Sequence, residues 1–162
     1  MISDPVSAFL DEIPVDGSLM GLDFGTKTIG IAVSDTRQTI ATGIKTIRRT
    51  KFQQDLQSLK LIIKDRQIKG MVLGLPKNMN GTEGPRCQST RTFAKNISSS
   101  IQIPITFWDE RLSSVVAERS LIEANASRQR RTKVIDYVAA SFILQGALDR
   151  LAVLRKGSTF GR

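Results

Sequence analysis

Apolar positions along this chain recur with two different periods, and the changes from one to the other mark out its elements. "LMGLDFG" and "TIGIAVSD" are two short apolar, β-capable runs joined through Gly25, Thr26 and Lys27, which predicts a strand, a tight turn and an antiparallel strand. "ATGIKTIRR" predicts a third strand, with Ile44 and Ile47 amid polar neighbours. From Phe52 to about Gln67 the apolar residues Phe52, Leu56, Leu59, Ile62 and Ile63 recur at three- and four-residue spacing, which predicts an amphipathic helix. "KGMVLGLP" is a nearly continuous apolar run of the kind found in a parallel strand covered on both faces. "KNMNGTEG" reads as a loop, Pro85 to about Ile97 as a helix opening at a proline, and "IPITFWDE" as a fifth strand. Beyond it "SSVVAERSLIEAN" has a helical pattern, "ASRQRRTK" reads as a basic connection, and "VIDYVAASFILQGALDRLAVL" as a long apolar helix.

Three strands, then helices alternating with two more strands, imply an α/β fold. The expected core is a central five-stranded mixed sheet: an antiparallel meander of strands 1–3, strands 4 and 5 parallel to strand 1, and helices flanking it. Residues 1–17 are expected as a loosely held N-terminal arm with a short amphipathic piece around Phe9 and Leu10, residues 18–152 as the domain, and residues 153–162 as a basic tail. No internal repeat or low-complexity stretch interrupts this order.

Length and composition narrow the class. At 162 residues the chain is most simply one domain. Its single cysteine, Cys87, excludes an intramolecular disulfide framework, and no apolar segment is expected to span a bilayer. The N-terminus carries acids and a proline where a secretion signal has a basic region and an apolar core, so a soluble cytoplasmic protein is expected. Lys and Arg total 24 against 15 acids, a net charge of +9, which points to a polyanionic partner such as nucleic acid. The absence of histidine removes imidazole bases and most zinc sites, leaving carboxylates as the obvious catalytic groups.

Five acids stand out by position. Asp23 interrupts the apolar first strand, where a carboxylate is costly to bury and so marks a candidate site. Asp35 ends the second strand and reads as a turn former. Asp109 and Glu110 follow directly on "ITFW", at a carboxyl strand end where ligands of parallel sheets gather. Adjacent strand residues point to opposite faces, so one of the two is expected to face Asp23, with Glu110 preferred for its reach. Asp136 shares a helical stripe with Ala139, Ala140, Ile143 and Ala147, a face of small apolar residues suited to close packing on a sheet. Carboxylates from distant parts of the chain, without histidine, suit Mg2+ or Mn2+, hard ions that keep several waters and accept a few carboxylates plus substrate phosphate. Such ions support phosphodiester hydrolysis without a histidine base.

Taken together and in this order, "GLDFGTKTIGIAVSD", "VLGLPKNMNGTEGPRCQSTRTFA", "ITFWDERLSS" and "RQRRTKVIDYVAASFILQGALD" resemble the YqgF/RuvX family of RNase H-like proteins, described as Holliday junction resolvases and as pre-16S rRNA processing nucleases. The resemblance covers about residues 18–150. It implies an RNase H-like fold and carries an acidic, metal-binding site onto Asp23, Glu110 and Asp136, with Asp109 beside them. The fourth strand departs from other RNase H-like nucleases: where they commonly have an acid near its end, "LGLP" runs into Lys77, which leaves Glu83 of the following loop as a conceivable substitute. Lys27, Arg86, Arg91, Arg111, Arg128, Arg130, Arg131 and Lys133 are the candidate nucleic-acid contacts, and the scarcity of aromatics predicts recognition through backbone and shape.

The expected function is processing of the pre-16S rRNA 5′ end by a metal-dependent nuclease. Holliday junction resolution in DNA recombination and repair is the alternative, and the sequence leaves a monomer or a homodimer open. Two other readings compete. "LDFGTKTIG" is also similar to the phosphate-binding hairpin of actin-like ATPases and sugar kinases, but those enzymes have two lobes and this chain has room for one. A non-catalytic RNA-binding or transcription factor could use the same basic surface.

Overall fold

The computed structural model describes residues 1–112 and 128–160, with the side chains of 128–136 and 158–160 left out. The periodicities resolve into β1 (Leu19–Phe24), β2 (Thr28–Ser34), β3 (Ala41–Arg48), α2 (Phe52–Arg66), β4 (Gly70–Leu75), α3 (Pro85–Ser98) and β5 (Ile105–Asp109). A short 3-10 turn, Glu110–Leu112, follows β5; α1 (Val6–Glu12) precedes the sheet and α4 (Arg128–Phe160) closes the chain. The five strands form one sheet in the order β3-β2-β1-β4-β5. β1 pairs antiparallel with β2 and β2 with β3, whereas β4 runs parallel to β1 and β5 parallel to β4. This is the expected mixed sheet.

Strand alternation gives the sheet two unlike faces. Met20, Leu22, Phe24, Ile29, Ile31, Val33, Met71, Leu73 and Phe107 point to one side and form a core with Leu56 and Leu59 of α2 and Phe93, Ala94 and Ile97 of α3. The other face carries glycines where α4 crosses it. A Cβ on Gly21 would lie 2.6 Å from Leu144 Cβ and 3.0 Å from the Ala140 carbonyl oxygen, and one on Gly43 would lie 2.6 Å from the Tyr137 carbonyl oxygen. Small residues on both sheet and helix therefore let α4 lie almost on the strand backbones, with Ala139, Ala140, Ile143, Leu144, Ala147, Leu148 and Leu151 fully buried. The stretch Tyr137–Gly157 of α4 is long and apolar enough to cross a membrane by length and composition, contrary to the expectation that no segment is. Its packing against the sheet explains that apolarity as a core helix.

Three boundaries differ from expectation. The N-terminal arm is docked: Phe9 is fully buried with Val6 and Ile13, a Cβ on Gly70 would collide with the Phe9 ring at 2.7 Å, and Ile2 bridges to Ile105 beside β5. The basic stretch from Arg128 is helical backbone continuous with α4, so it is the first turns of the long helix and no connection. At the far end, the tail expected from residue 153 prolongs the same helix to Phe160. "SSVVAERSLIEAN" lies outside the described residues.

Candidate active site

Asp23 stands at the carboxyl end of β1, on the face that Gly21 presents to α4, and it is only 6% exposed. Its position follows from alternation: Leu22 and Phe24 enter the α2/α3 core, so Asp23 must face α4. At the end of β5, Trp108 faces α4 too, with its ring against Gly146, while Phe107 belongs to the opposite core. Two residues beyond Trp108, Glu110 opens the 3-10 turn and is 9% exposed.

The Glu110 carboxylate reaches sideways over β4. Its Oε1 lies 3.0 Å from the point where a Cβ on Gly74 would stand, and Ile143 Cδ1 lies 2.5 Å from the same point. β4 is the strand between β1 and β5, and its ladder with β1 pairs Leu22 with Leu73, so Gly74 is one residue further along, level with Asp23. Glycine there lets the Ile143 side chain and the Glu110 carboxylate close over the β4 backbone. Among sequence signals, only the small residue in "LGLP" marks this.

Asp109 is differently engaged. It lies on the Phe107 side, forms a 2.6 Å ion pair with Arg111 Nη2, and accepts the Arg111 backbone N–H at 3.0 Å. That hydrogen bonding holds its carboxyl below the usual carboxylate range and raises Arg111. Glu83 is also occupied: it receives both Nε and Nη2 of Arg91 at 2.7 Å, which lowers its pKa. The Arg91 guanidinium in turn stands 4.9 Å over the Phe107 ring and 3.9 Å from Asp4.

Asp136 lies on α4 one helical turn before Ala140, whose carbonyl oxygen abuts Gly21 two residues before Asp23. Its side chain is outside the described residues, as are those of Arg128, Arg130, Arg131 and Lys133 on the first turns of the same helix. Among the described residues no three acidic or cysteine side chains stand together as a metal cluster. The two buried carboxylates on the α4 face supply hard oxygen donors of the type Mg2+ and Mn2+ take. Lys27 and Arg86 are exposed and have no carboxylate partner among the described residues. Arg49, absent from the candidates, donates through Nη1 to the carbonyls of Gly25 at 2.7 Å and Thr26 at 3.1 Å and lies 4.2 Å over the Phe24 ring.

A mixed sheet of this order, acids at the carboxyl ends of β1 and β5 and a long helix across one face, is the RNase H-like arrangement. Solved structures agree. The yeast mitochondrial Holliday junction resolvase Ydc2 superposes with a TM-score of 0.53 at 10% identity, covering 96% of this chain and 88% of that one. Thermus thermophilus RuvC, in a complex with a Holliday junction substrate, gives 0.50 at 8%, over 82% of this chain and 93% of its own. At those identities the likeness shows the fold alone. The chain belongs to the RuvX family, described as Holliday junction resolvase, which matches residues 17–150. It is 58% identical over 157 residues to a protein of Roseobacter denitrificans named "Putative pre-16S rRNA nuclease", covering 96% of each chain. A Rhodobacter capsulatus protein of the same name is 59% identical over 154 residues, covering 95% of this chain and 97% of that one.

Proposed function

We propose that this chain is a divalent-metal-dependent nuclease that hydrolyses phosphodiester bonds in structured nucleic acid, and that its substrate is the 5′ end of pre-16S rRNA. The observation that carries this is the pair of buried carboxylates, Asp23 and Glu110, on one face of the sheet, with Glu110 reaching over Gly74 of the strand between β1 and β5. The name shared by close relatives favours RNA. The work belongs to ribosome assembly in the cytoplasm.

Asp23, Glu110 and Asp136 would hold Mg2+ or Mn2+, which when bound supplies charge stabilisation for the attacking and leaving oxygens and an acidified water. The chain's own part is positional. Asp23 is mounted inside a paired strand, so its carboxylate has little freedom; Glu110 is aimed by the 3-10 turn that Asp109 caps through the Arg111 N–H. Asp109 thus acts as a positioning residue for Glu110. Arg111, neutralised by Asp109, and Arg91, neutralised by Glu83, contribute less to phosphate binding than Lys27 and Arg86.

Asp23→Asn and Glu110→Gln should each lower Mg2+-dependent cleavage of a pre-16S 5′ fragment by at least about 100-fold while RNA binding stays within about twofold. Wild-type cleavage that survives either substitution, or a chelator, contradicts the assignment. The family description favours a second reading, resolution of four-way DNA junctions, and the same assay with such a junction decides between them.

A further inference from the structure

Three basic residues, Lys27, Arg49 and Arg86, stand around the β1–β2 turn, on the side away from Asp23. Arg49 and Arg86 line one pocket of about 220 Å3 with Phe24, Gly25, Thr26 and Ser89, and the Lys27 carbonyl receives the Arg49 backbone N–H at 2.8 Å. Neither arginine has an acidic partner among the described residues. Arg49 is fixed by the two turn carbonyls and the Phe24 ring; both of those bonds use Nη1, and no hydrogen bond among the described residues takes up Nε or Nη2. A second pocket of about 410 Å3 shares Phe24, Arg49 and Ser89 with the first and continues along α3 past Gln88, Thr92 and Asn96. These three side chains recur every four residues, are exposed, and are neutral hydrogen-bonding groups; no acid lines either pocket.

We infer that this groove carries a single-stranded segment of the RNA substrate, one phosphate seated between Arg49 and Arg86 and the chain running along the Gln88–Thr92–Asn96 stripe. The inference rests on the nuclease reading above for the kind of substrate, and on the groove for its path. Phe24 and Asp23 are successive residues pointing to opposite faces, so a strand that leaves the acids enters the groove by turning over the end of β1. A duplex, stiff over roughly 150 base pairs in the case of DNA, resists that turn, whereas a single strand makes it readily. An immobilised guanidinium beside a second arginine matches phosphate geometry, and amide and hydroxyl side chains match ribose hydroxyls and base edges.

The test is fluorescence anisotropy with a short labelled single-stranded RNA in chelator, where no cleavage occurs. Arg86→Glu and Thr92→Glu, both at exposed positions, should each weaken binding about tenfold, and Arg86→Gln should reduce the slope of log K against log salt by about 0.7. Lys64→Glu, on the last turn of α2 and outside the groove, makes the same change of charge as Arg86→Glu and should stay within about twofold. If Arg86→Glu and Thr92→Glu weaken binding no more than Lys64→Glu, the groove is not the path. Cleavage is read separately on wild type and Asp23→Asn. Metal-dependent cleavage with unaffected groove variants ends this inference and keeps the nuclease reading, and affected groove variants in a protein that never cleaves do the reverse.

Discussion

Gly74 shows how one missing side chain organises the site. It is the point on β4 that both Ile143 and the Glu110 carboxylate approach, so Gly74→Ala must push one or both away. Overpacking of this kind costs about 1–3 kcal/mol, and urea unfolding should show it together with a fall in cleavage rate. Ile143→Val removes the Cδ1 atom involved, so the double variant should recover stability by thermal melting yet remain slow, because Glu110 is still displaced. Asp35 is the opposite case, a residue whose role is local. Its carboxylate accepts N–H bonds from Thr39 at 2.8 Å and Ile40 at 2.9 Å and the Thr39 hydroxyl at 2.6 Å, which lowers its pKa from 3.8 to about 2. A depressed folded-state pKa means that the stability it contributes is fully present above the unfolded value and is lost as pH falls through about 2. The stability difference between wild type and Asp35→Asn should therefore be flat from neutral pH to about 5 and shrink below the unfolded value. Asp35 was legible as a turn residue because its partners lie within five residues. Gly74 was not, because Glu110 comes from another strand end, and Arg49 escaped notice because the carbonyls that hold it lie 23 and 24 residues away.

At the level of elements, periodicity was a sound guide wherever an element has one dry face. α2 carries its apolar residues at three- and four-residue spacing, and its first turn is anchored by buried Asp55, which accepts the Thr50 backbone N–H and hydroxyl at 3.0 Å each. Where apolar spacing gives no signal the reading failed. The run from Arg128 to Lys133 is charged and shows no stripe, yet its backbone belongs to α4, because a helix already nucleated by packing propagates outward at small cost. The N-terminal arm differs for another reason: its seven-residue helix is too short to form alone, and the residues that seat Phe9, Gly70 and the cluster of Leu19, Val72, Leu148 and Leu151, lie far along the chain. Phe9→Ala should accordingly cost about 3–5 kcal/mol in chemical denaturation, the range for truncating a buried aromatic. A cost under about 1 kcal/mol would mean that the arm is not docked in solution.

Across the whole molecule, the two faces of the sheet divide the labour. The α2/α3 side is a conventional core topped by the groove at Phe24 and Arg49, while the α4 side packs closely on glycines and carries the buried carboxylates of Asp23 and Glu110. The overall topology was readable from the order of strands and helices, since a meander followed by alternating units permits few arrangements. Strand alternation and reach already favoured Glu110 over Asp109 in the sequence, whereas the place of Asp136 depends on where α4 crosses the sheet. The central claim is that Asp23, Glu110 and Asp136 form one divalent-ion site. Calorimetric titration of Mn2+ into the wild type and into Asp23→Asn, Glu110→Gln and Asp136→Asn tests it most directly. The account predicts saturable binding to the wild type that is weakened at least about tenfold in every single variant. Mn2+ affinity unchanged in any one of the three would show that its carboxylate does not belong to the site.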